Sequence, residues 1–265
     1  MNAVRKVNLK AVVKQFIPTV LRFDSLPSTN TEAARQAAAG ACEGLVVVAR
    51  EQTAGRGRRE RVWASPKDAG LYMSVVLRPR LAAESWPLLT LMAALAVVDA
   101  LEEACALRAD IKWPNDILAG GRKVCGILAE AVESAAGRAC VLGVGVNLRR
   151  EAYPPELRAS ATSVEEETGA RVAAEALVES LVRAVARRYA ALQGEGGAVE
   201  TLREWAARSS YAEGRRVRVS LEAEGFEGVT RGLEPDGALR VETDGGEVKV
   251  VRAGDVVGVR EARET

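Results

Sequence analysis

Histidine is absent from all 265 residues of the sequence. This absence excludes Ser/His/Asp hydrolases, Cys/His proteases, His-ligated zinc sites and every mechanism that uses a histidine general base. An enzyme of this composition works mainly by positioning and charge stabilisation, and its chemical groups are lysine, arginine, aspartate and main-chain amides.

Cysteine is scarce, and no CxxC pair occurs. The four cysteines stand far apart at Cys42, Cys105, Cys125 and Cys140. We therefore expect reduced thiols that pack in the core of a cytoplasmic protein. The N-terminus lacks the continuous apolar core of a signal peptide, and acids such as Asp99 and Glu102 interrupt the longest apolar stretches. These patterns predict neither a secretion signal nor a membrane span.

An excess of basic charge is also absent. Lys and Arg number 37 against 36 Asp and Glu, which gives a net charge of +1. Nucleic-acid-binding domains usually carry a basic excess, so this balance argues against one. The hydrophobic fraction of 48% is typical of a globular protein. The length allows one large domain, or a main domain with a small one.

The first two hundred residues alternate helical patterns with short apolar runs. In LPSTNTEAARQAAAG, Thr29 and Glu32 have capping-box spacing and Gly40 offers a stop, which predicts a helix. The further predicted elements are strands at Leu45–Glu51 and Leu71–Arg78, a helix at Ser85–Leu107, strand-like segments ADIKWP, KVCGILAEAVES and ACVLGVGVNL, and helices around Val172–Leu192 and Val199–Ala207. Helices flanking an apolar sheet indicate an α+β layer domain.

The pattern changes near residue 213. From there on, alternating strands are separated by EG, PDG and DGG turns, which predicts a small β-barrel. We therefore divide the chain into an N-terminal extension at 1–20 with one short helix, a main domain at 21–212 and a barrel at 213–265.

The segment TAGRGRRERVW, residues 53–63, concentrates positive charge on flexible backbone. Gly55 and Gly57 allow the backbone to approach a ligand, while Arg56 and Arg58 add forked donors for anions. The segment is neither a Walker loop nor a dinucleotide fingerprint. A solvated basic loop is the alternative interpretation.

The segment IKWPNDIL is the second candidate. Lys112 suits a phosphate, Asn115 and Asp116 suit a ligand or Mg²⁺, and Pro114 fixes the turn that aims them. Trp113 fits a core position better than a ligand contact. The alternative is a plain turn that joins two strands.

Two further segments carry candidate residues at strand ends. Arg122 and Lys123 begin a strand that is otherwise apolar, although a basic strand end is often merely solvated. In LGVGVNL, Gly143 and Gly145 leave room for a flat group against the sheet before Asn147. Close packing of a helix would explain the same glycines.

PSTN, residues 27–30, and the nearby Gln52 form the last candidate. The side chains of Ser28, Thr29, Asn30 and Gln52 supply hydroxyl, amide and carbonyl groups. Such groups suit a small neutral polar head. A helix N-cap role for Ser28 or Thr29 is compatible with this.

Taken together, PSTN, EQTAGRGRR followed by Trp63, KWPND, RKVCGIL and GVGVN resemble the biotin protein ligases, also called biotin acetyl-CoA-carboxylase ligases. The likeness runs from about Leu21 to Val259. It implies a catalytic domain related in fold to class II aminoacyl-tRNA synthetases and lipoate ligases, followed by an SH3-like barrel. It also implies two steps: biotin and MgATP give biotinyl-5′-AMP and pyrophosphate, and a lysine of a biotin carboxyl carrier protein then displaces AMP.

The resemblance assigns a role to each motif. Ser28, Thr29, Asn30 and Gln52 would hold the ureido head of biotin. The segment containing Gly55 and Gly57 would close over biotin and the phosphates, with Arg56 and Arg58 facing the anions. Lys123 would lie beside the biotin carboxylate and the α-phosphate, and Lys112 would take a phosphate. Asn115 and Asp116 would bind nucleotide and Mg²⁺, and Trp63 with Asn147 would frame the adenine. Beyond MgATP and biotin as substrates, no tightly bound metal or other cofactor is implied.

Two departures from the family pattern stand out. Glu60 occupies a position that often carries glycine in these enzymes. Only about twenty residues precede the catalytic segment, too few for the winged-helix repressor domain of some members, so we expect a monofunctional enzyme without DNA binding. A homodimer and a monomer both stay open. The alternatives are a lipoate or octanoate ligase or transferase of the same fold and a non-enzymatic nucleic-acid-binding module.

Overall fold

The computed structural model describes residue 16 and residues 18–134, 137–221 and 225–258. The short N-terminal helix expected within residues 1–20 lies almost entirely outside the described residues.

A seven-stranded sheet forms the centre of the larger part of the molecule. Its strands are β1 (Thr19–Phe23), β2 (Leu45–Ala49), β3 (Gly70–Leu77), β4 (Asp110–Lys112), β5 (Asp116–Ala119), β6 (Arg122–Val132) and β7 (Ala139–Asn147). The strand order is β1-β2-β3-β7-β6-β5-β4. The β1–β2 pair is parallel and the other pairs are antiparallel. All of β3 is buried, since it lies in the middle of this sheet with helices on both faces.

The helices cover the two faces of the sheet unequally. They are α1 (Thr29–Ala38), α2 (Pro87–Cys105), α3 (Val164–Thr168), α4 (Ala174–Leu192) and α5 (Gly197–Ala207). Short turns of 3-10 type lie at Arg58–Glu60, Ala83–Ser85, Arg150–Ala152 and Pro155–Leu157. On one face, Val46 and Val75 belong to a large core with α2 and α4; on the other, Val47 and Val76 pack with α1. This alternation follows the two-residue period of a strand.

The C-terminal part is an antiparallel sheet of five strands. They are β8 (Glu213–Ser220), β9 (Gly225–Leu233), β10 (Leu239–Thr243), β11 (Val248–Val251) and β12 (Asp255–Gly258), in the order β11-β10-β9-β8-β12. The turn before β10 docks on the larger part, because Trp113 Nε1 donates to Gly237 O at 3.0 Å. An added Cβ at Gly237 would lie 2.9 Å from a methyl carbon of Leu91 in α2. The two parts are therefore closely packed.

The first helix begins differently from the capping-box prediction, which is wrong. Ser28 is the N-cap residue of α1 and makes no side-chain cap bond. The Thr29 hydroxyl bonds to Gln52 instead, and Glu32 pairs with Arg35. Tertiary contacts thus take the groups that local spacing assigned to the cap. Gly40, with φ of 93°, follows the helix end as expected.

The other boundaries differ by a few residues from the sequence-based expectations. Strand β1 and helix α3 were not predicted, and β5 begins inside the segment interpreted as a turn. The turn itself, residues 113–115, joins β4 and β5, as the plain-turn alternative required. Among the helices of the described residues, none combines the length and apolar character that crossing a bilayer requires.

All four cysteines are free thiols. Cys105, Cys125 and Cys140 are buried, as expected, whereas Cys42 is exposed and the core-packing prediction is wrong there. Burial raises the pKa of Cys105 to about 11 and that of Cys140 to about 12. Because the thiolate is the reactive form, these thiols act as small apolar side chains.

Candidate active site

A cavity of about 620 Å³ opens between the sheet, the start of α1, the β4–β5 turn and strand β12. Every site residue predicted from the sequence lines it except Gly55: Ser28, Thr29, Asn30, Gln52, Arg56, Gly57, Arg58, Trp63, Lys112, Asn115, Asp116, Lys123 and Asn147. Motifs that are up to about 120 residues apart in the sequence therefore share one site.

Neutral hydrogen bonds organise one end of the cavity. Gln52 Oε1 accepts from Thr29 N at 2.9 Å and from Thr29 Oγ1 at 3.1 Å, and Gln52 Nε2 donates to Ser65 Oγ at 2.8 Å. The Ser74 hydroxyl lies 2.6 Å from Asn30 Oδ1 and 2.8 Å from Thr29 Oγ1. Sequence reasoning missed Ser74. Its only signal was a small hydroxyl side chain inside a strand that is fully buried.

A carboxylate that was also missed connects this polar end to the arginine segment. Glu130 accepts from Asn30 Nδ2 at 2.7 Å and receives both arms of the Arg56 guanidinium, at 2.7 and 3.0 Å. Forked pairs of this kind fix orientation as well as charge. Arg56 therefore faces an anion of the protein itself. The signal for Glu130 was a lone acid within an apolar stretch of β6.

The predicted lysines meet at one carboxylate. Lys123 Nζ lies 2.5 Å from Asp116 Oδ1, and Lys112 Nζ lies 3.4 Å from Asp116 Oδ2. The β4–β5 hairpin pairs Lys112 directly with Asp116, which places these side chains together. Lys123 Nζ also lies 5.2 Å from the centre of the Trp63 ring, within cation–π range. The cluster carries two cations and one anion, so it favours an additional negative charge.

Asp116 was also the predicted Mg²⁺ ligand. Both of its oxygens are held by lysines, and the described residues contain no group of three or more His, Cys, Asp or Glu suited to a metal. Mg²⁺ that arrives with a nucleotide is bound largely by phosphates and needs only one or two carboxylates. The donor set thus suits magnesium as part of MgATP, and the role of Asp116 stays a prediction.

The β4–β5 turn holds an arginine over the cavity. Asn115 Nδ2 donates to Ile127 O at 2.7 Å, and Asn115 Oδ1 accepts from Arg58 NH1 at 3.1 Å. Burial lowers the pKa of Arg58, and the nearby charge of Asp255 acts in the opposite direction. Trp113 is buried in the core, as the sequence indicated. Asn115 therefore fixes the direction of Arg58.

The glycines of β6 and β7 leave room for two side chains of the protein itself, those of Trp63 and Asn30. An added Cβ at Gly145 would lie 2.6 Å from Trp63 Nε1, and one at Gly126 would lie 3.0 Å from the same ring. At Gly143 the Cβ would lie 2.1 Å from Asn30 Oδ1, at the start of α1. Both interpretations of these glycines thus apply: Trp63 is the flat group at Gly145, and a helix packs at Gly143.

Two predicted residues, Asn147 and Gly55, make contacts with other parts of the protein itself. Asn147 is buried and its Nδ2 donates to Thr162 O at 2.9 Å. Gly55 lies against the backbone of Trp63, whose N–H donates to Gly55 O at 2.9 Å, and a Cβ at Gly55 would lie 2.3 Å from Trp63 O. Gly55 is needed to fold the segment rather than to line the cavity.

The segment between β7 and α3 forms a wall that sequence reasoning missed. It contributes Ala152, Tyr153, Leu157, Ser160 and Ala161. Its backbone bonds to Lys123 on both sides: Lys123 N donates to Ser160 O at 2.8 Å, and Thr162 N donates to Lys123 O at 2.9 Å. The irregular, polar sequence of this segment gave no signal. Its contacts fix the backbone from which Lys123 projects.

Comparison with known proteins supports this arrangement. Residues 22–147 match the model of the biotin/lipoate A/B protein ligase family, and residues 214–257 match that of the biotin protein ligase C-terminal domain. The biotin–[acetyl-CoA-carboxylase] ligase of Mycobacterium tuberculosis is 36% identical over 239 residues, which are 88% of this chain and 86% of the relative. This chain belongs to the biotin protein ligase family.

Other family members match over similar lengths. The ligase of the same name from Paracoccus denitrificans is 41% identical over 219 residues, 80% of this chain and 89% of that protein. The biotin protein ligase of Aquifex aeolicus, solved in complex with biotin and ATP, superimposes with a TM-score of 0.80 at 25% identity, covering 92% of this chain and 100% of that one. The predicted biotin ligase fold with a C-terminal SH3-like barrel is confirmed.

Proposed function

We propose that this member of the biotin protein ligase family is an ATP-dependent biotin–[acetyl-CoA-carboxylase] ligase. The observation that supports this most is the meeting of Lys112, Asp116 and Lys123 beside a buried neutral hydrogen-bonding network in one cavity. One end suits a neutral polar head, and the other suits anions that must react together. The relatives named above carry the same activity in their names.

The neutral end distinguishes biotin from lipoate in this proposal. Thr29, Asn30 and Ser74 are buried polar residues, each 5% exposed or less. A ureido head would gain hydrogen bonds from such groups, whereas the apolar dithiolane of lipoate would offer them no partner. Each hydrogen bond gained contributes about 0.5–1.5 kcal/mol. The site therefore favours biotin over lipoate.

In the first step, a carboxylate oxygen of biotin attacks the α-phosphorus of MgATP. A C–O–P linkage forms, the bond from the α-phosphorus to the bridging oxygen breaks, and pyrophosphate leaves with the electron pair. Two like unit charges about 4 Å apart repel by roughly 4 kcal/mol at an effective dielectric constant near 20. In our proposal Lys123 and Lys112 offset this repulsion, and Arg58 stabilises the charge that develops on the phosphate.

In the second step, the amine of an acceptor lysine attacks the acyl carbon of biotinyl-5′-AMP. The new C–N bond replaces the C–O bond, AMP leaves as the anion, and the nitrogen loses a proton. The acceptor we propose is a biotin carboxyl carrier protein domain in the cytoplasm. Before it arrives, the adenylate must be shielded from water, and the segment around Arg58 is suited to that task.

The decisive experiment measures pyrophosphate release by the full chain. ATP with biotin is compared with ATP and lipoate and with ATP and RNA. We expect pyrophosphate release only in the reaction that contains ATP and biotin. When a carrier domain is added, its mass should then increase by one biotin. Release with lipoate would assign the lipoate ligase activity instead, and RNA retention without any release would favour the nucleic-acid module.

A further inference from the structure

Strand β12 of the C-terminal barrel contributes a carboxylate to the rim of the cavity. Asp255 lines the cavity together with its cross-strand neighbour Ser220, and its side chain is 27% exposed. The barrel therefore supplies one charged side chain to the edge of the cavity.

Asp255 Oδ2 pairs with two cations of the arginine segment. Arg59 NH1 lies 3.6 Å from it, and Arg61 NH2 forms a shorter ion pair with the same oxygen. Arg59 lies within the turn at 58–60, which also contains Arg58, and Arg61 follows that turn directly. The barrel thus holds the segment that carries Arg58 at a point close to the cavity.

The backbone of this segment adopts a conformation that needs outside support. Arg59 has φ of 53° and Glu60 has φ of 59°, so two consecutive residues other than glycine lie in the left-handed region. Such residues are held there only when surrounding contacts determine them. Within the segment, the backbone supplies bonds from Gly57 N to Arg61 O and from Arg61 N to Arg58 O. The two ion pairs to Asp255 supply contacts from outside.

The barrel is a firm attachment point. Trp113 Nε1 donates to Gly237 O, and Val217, Val219 and Val256 belong to the same hydrophobic core as α2. A carboxylate on β12 is therefore fixed relative to the cavity, whereas the arginine segment is exposed at Arg61 and Val62.

We infer that Asp255 is a positioning residue that fastens the arginine segment to the barrel, so that Arg58 stays over the cavity before any ligand binds. Asp255 acts through Arg59 and Arg61 and not on reacting atoms. Its effect on adenylate retention rests on the proposed function, whereas its effect on the backbone does not.

Hydrogen exchange of the ligand-free chain tests the backbone effect. In Asp255→Asn, which keeps the shape of the side chain, we expect the amides of Gly57 and Arg61 to exchange roughly three- to tenfold faster. Asp244→Asn is the matched control, because Asp244 forms a forked pair with Arg216 on the same barrel away from the cavity. Asp255→Glu, which restores the charge, should return exchange most of the way to the parent rate.

A double-mutant cycle identifies the contact. If Asp255 acts through Arg61, the exchange effects of Asp255→Asn and Arg61→Gln in one chain will be smaller than the sum of the single effects. Unchanged exchange in Asp255→Asn would overturn the inference. Faster exchange throughout β8 and β12 would also overturn it, because the barrel itself would then have loosened.

Activity provides the second readout. Asp255→Asn should raise the escape rate of biotinyl-5′-AMP about threefold or more, with a smaller change in its rate of formation. If the parent chain forms no biotinyl-5′-AMP while the exchange pattern holds, the proposed function fails and the positioning role stands. If escape is unchanged although exchange rises, the segment is fastened for another purpose and its role in retention is overturned.

Discussion

The two ends of the cavity are held by different kinds of interaction. At the polar end, the Thr29 hydroxyl bonds both to Gln52 and to Ser74, and Thr29 and Ser74 are buried. At the other end, Arg56, Arg59 and Arg61 are partly exposed and are held by carboxylates. Buried neutral networks have few alternative arrangements, whereas exposed ion pairs exchange partners at little cost. The polar end is therefore preorganised for one ligand, whereas the arginine end is held in position by weaker contacts.

The largest expected effect comes from removing Lys123, the cation proposed to lie beside the reacting groups. Lys123→Ala should lower the rate of adenylation roughly 10²- to 10³-fold, because a charge aimed at the reacting groups is lost. Biotin affinity, measured by calorimetry, should change much less, since the polar network does not contain Lys123. Lys67→Ala, at an exposed lysine outside the cavity, is the control. Normal turnover in Lys123→Ala would refute the role given to Lys123.

The next effect concerns the arginine end alone. Arg58→Gly should let biotinyl-5′-AMP escape, so that lysines of unrelated proteins become biotinylated, while adenylate synthesis continues at a lower rate because Lys123 and Lys112 remain. Arg58 bonds to Asn115 over the cavity, so glycine at this position removes that contact together with the positive charge. Blotting of a bystander protein with streptavidin measures the escape. A variant that retains its adenylate as tightly as the parent would show that the segment does not retain it.

A change at the polar end should lower biotin affinity more than it lowers the rate of adenylation. Ser74→Ala leaves Asn30 Oδ1 and Thr29 Oγ1 without this partner in a buried site, which costs about 1–3 kcal/mol. We expect biotin affinity to fall roughly tenfold, with adenylation at saturating biotin nearly unchanged. Calorimetry and turnover are compared with those of Ser210→Ala, at an exposed serine. Equal losses in affinity and turnover would remove the distinction between the two ends.

The same contrast explains which features the sequence predicted. Short motifs identified residues such as Lys112 and Lys123 because local spacing and charge can be read directly from the sequence. Ser74, Glu130 and Asp255 were missed because their roles come from strand pairing and barrel docking, which join residues 44 to 194 positions apart. Likewise, the capping-box prediction at Thr29 was wrong because a distant glutamine competes for the hydroxyl. Local patterns predicted most of the elements, while tertiary contacts determined their partners.

Glu60 gives the smallest expected effect and the sharpest test of the arginine end. The family resemblance implies glycine where this chain has Glu60, and the φ of 59° at Glu60 is a conformation that favours glycine. A left-handed residue other than glycine costs about 1 kcal/mol or more, so Glu60→Gly relieves strain in the folded segment. Glycine also gains freedom in the unfolded chain, which offsets part of this gain. The net change in the free energy of unfolding should therefore be within about 0.5 kcal/mol.

Glu60→Gly should change amide exchange in the arginine segment more than it changes the free energy of unfolding of the whole chain. With the strain removed, the left-handed turn depends less on Asp255, so Asp255→Asn should accelerate amide exchange at Arg61 less in a Glu60→Gly background than in the parent. The parent, the two single variants and the double variant are compared. Chemical denaturation measures their free energies of unfolding, and hydrogen exchange measures the rate at Arg61. An undiminished effect of Asp255→Asn would mean that the ion pairs hold the segment independently of its backbone conformation, and that strain at Glu60 has no part in keeping Arg58 over the cavity.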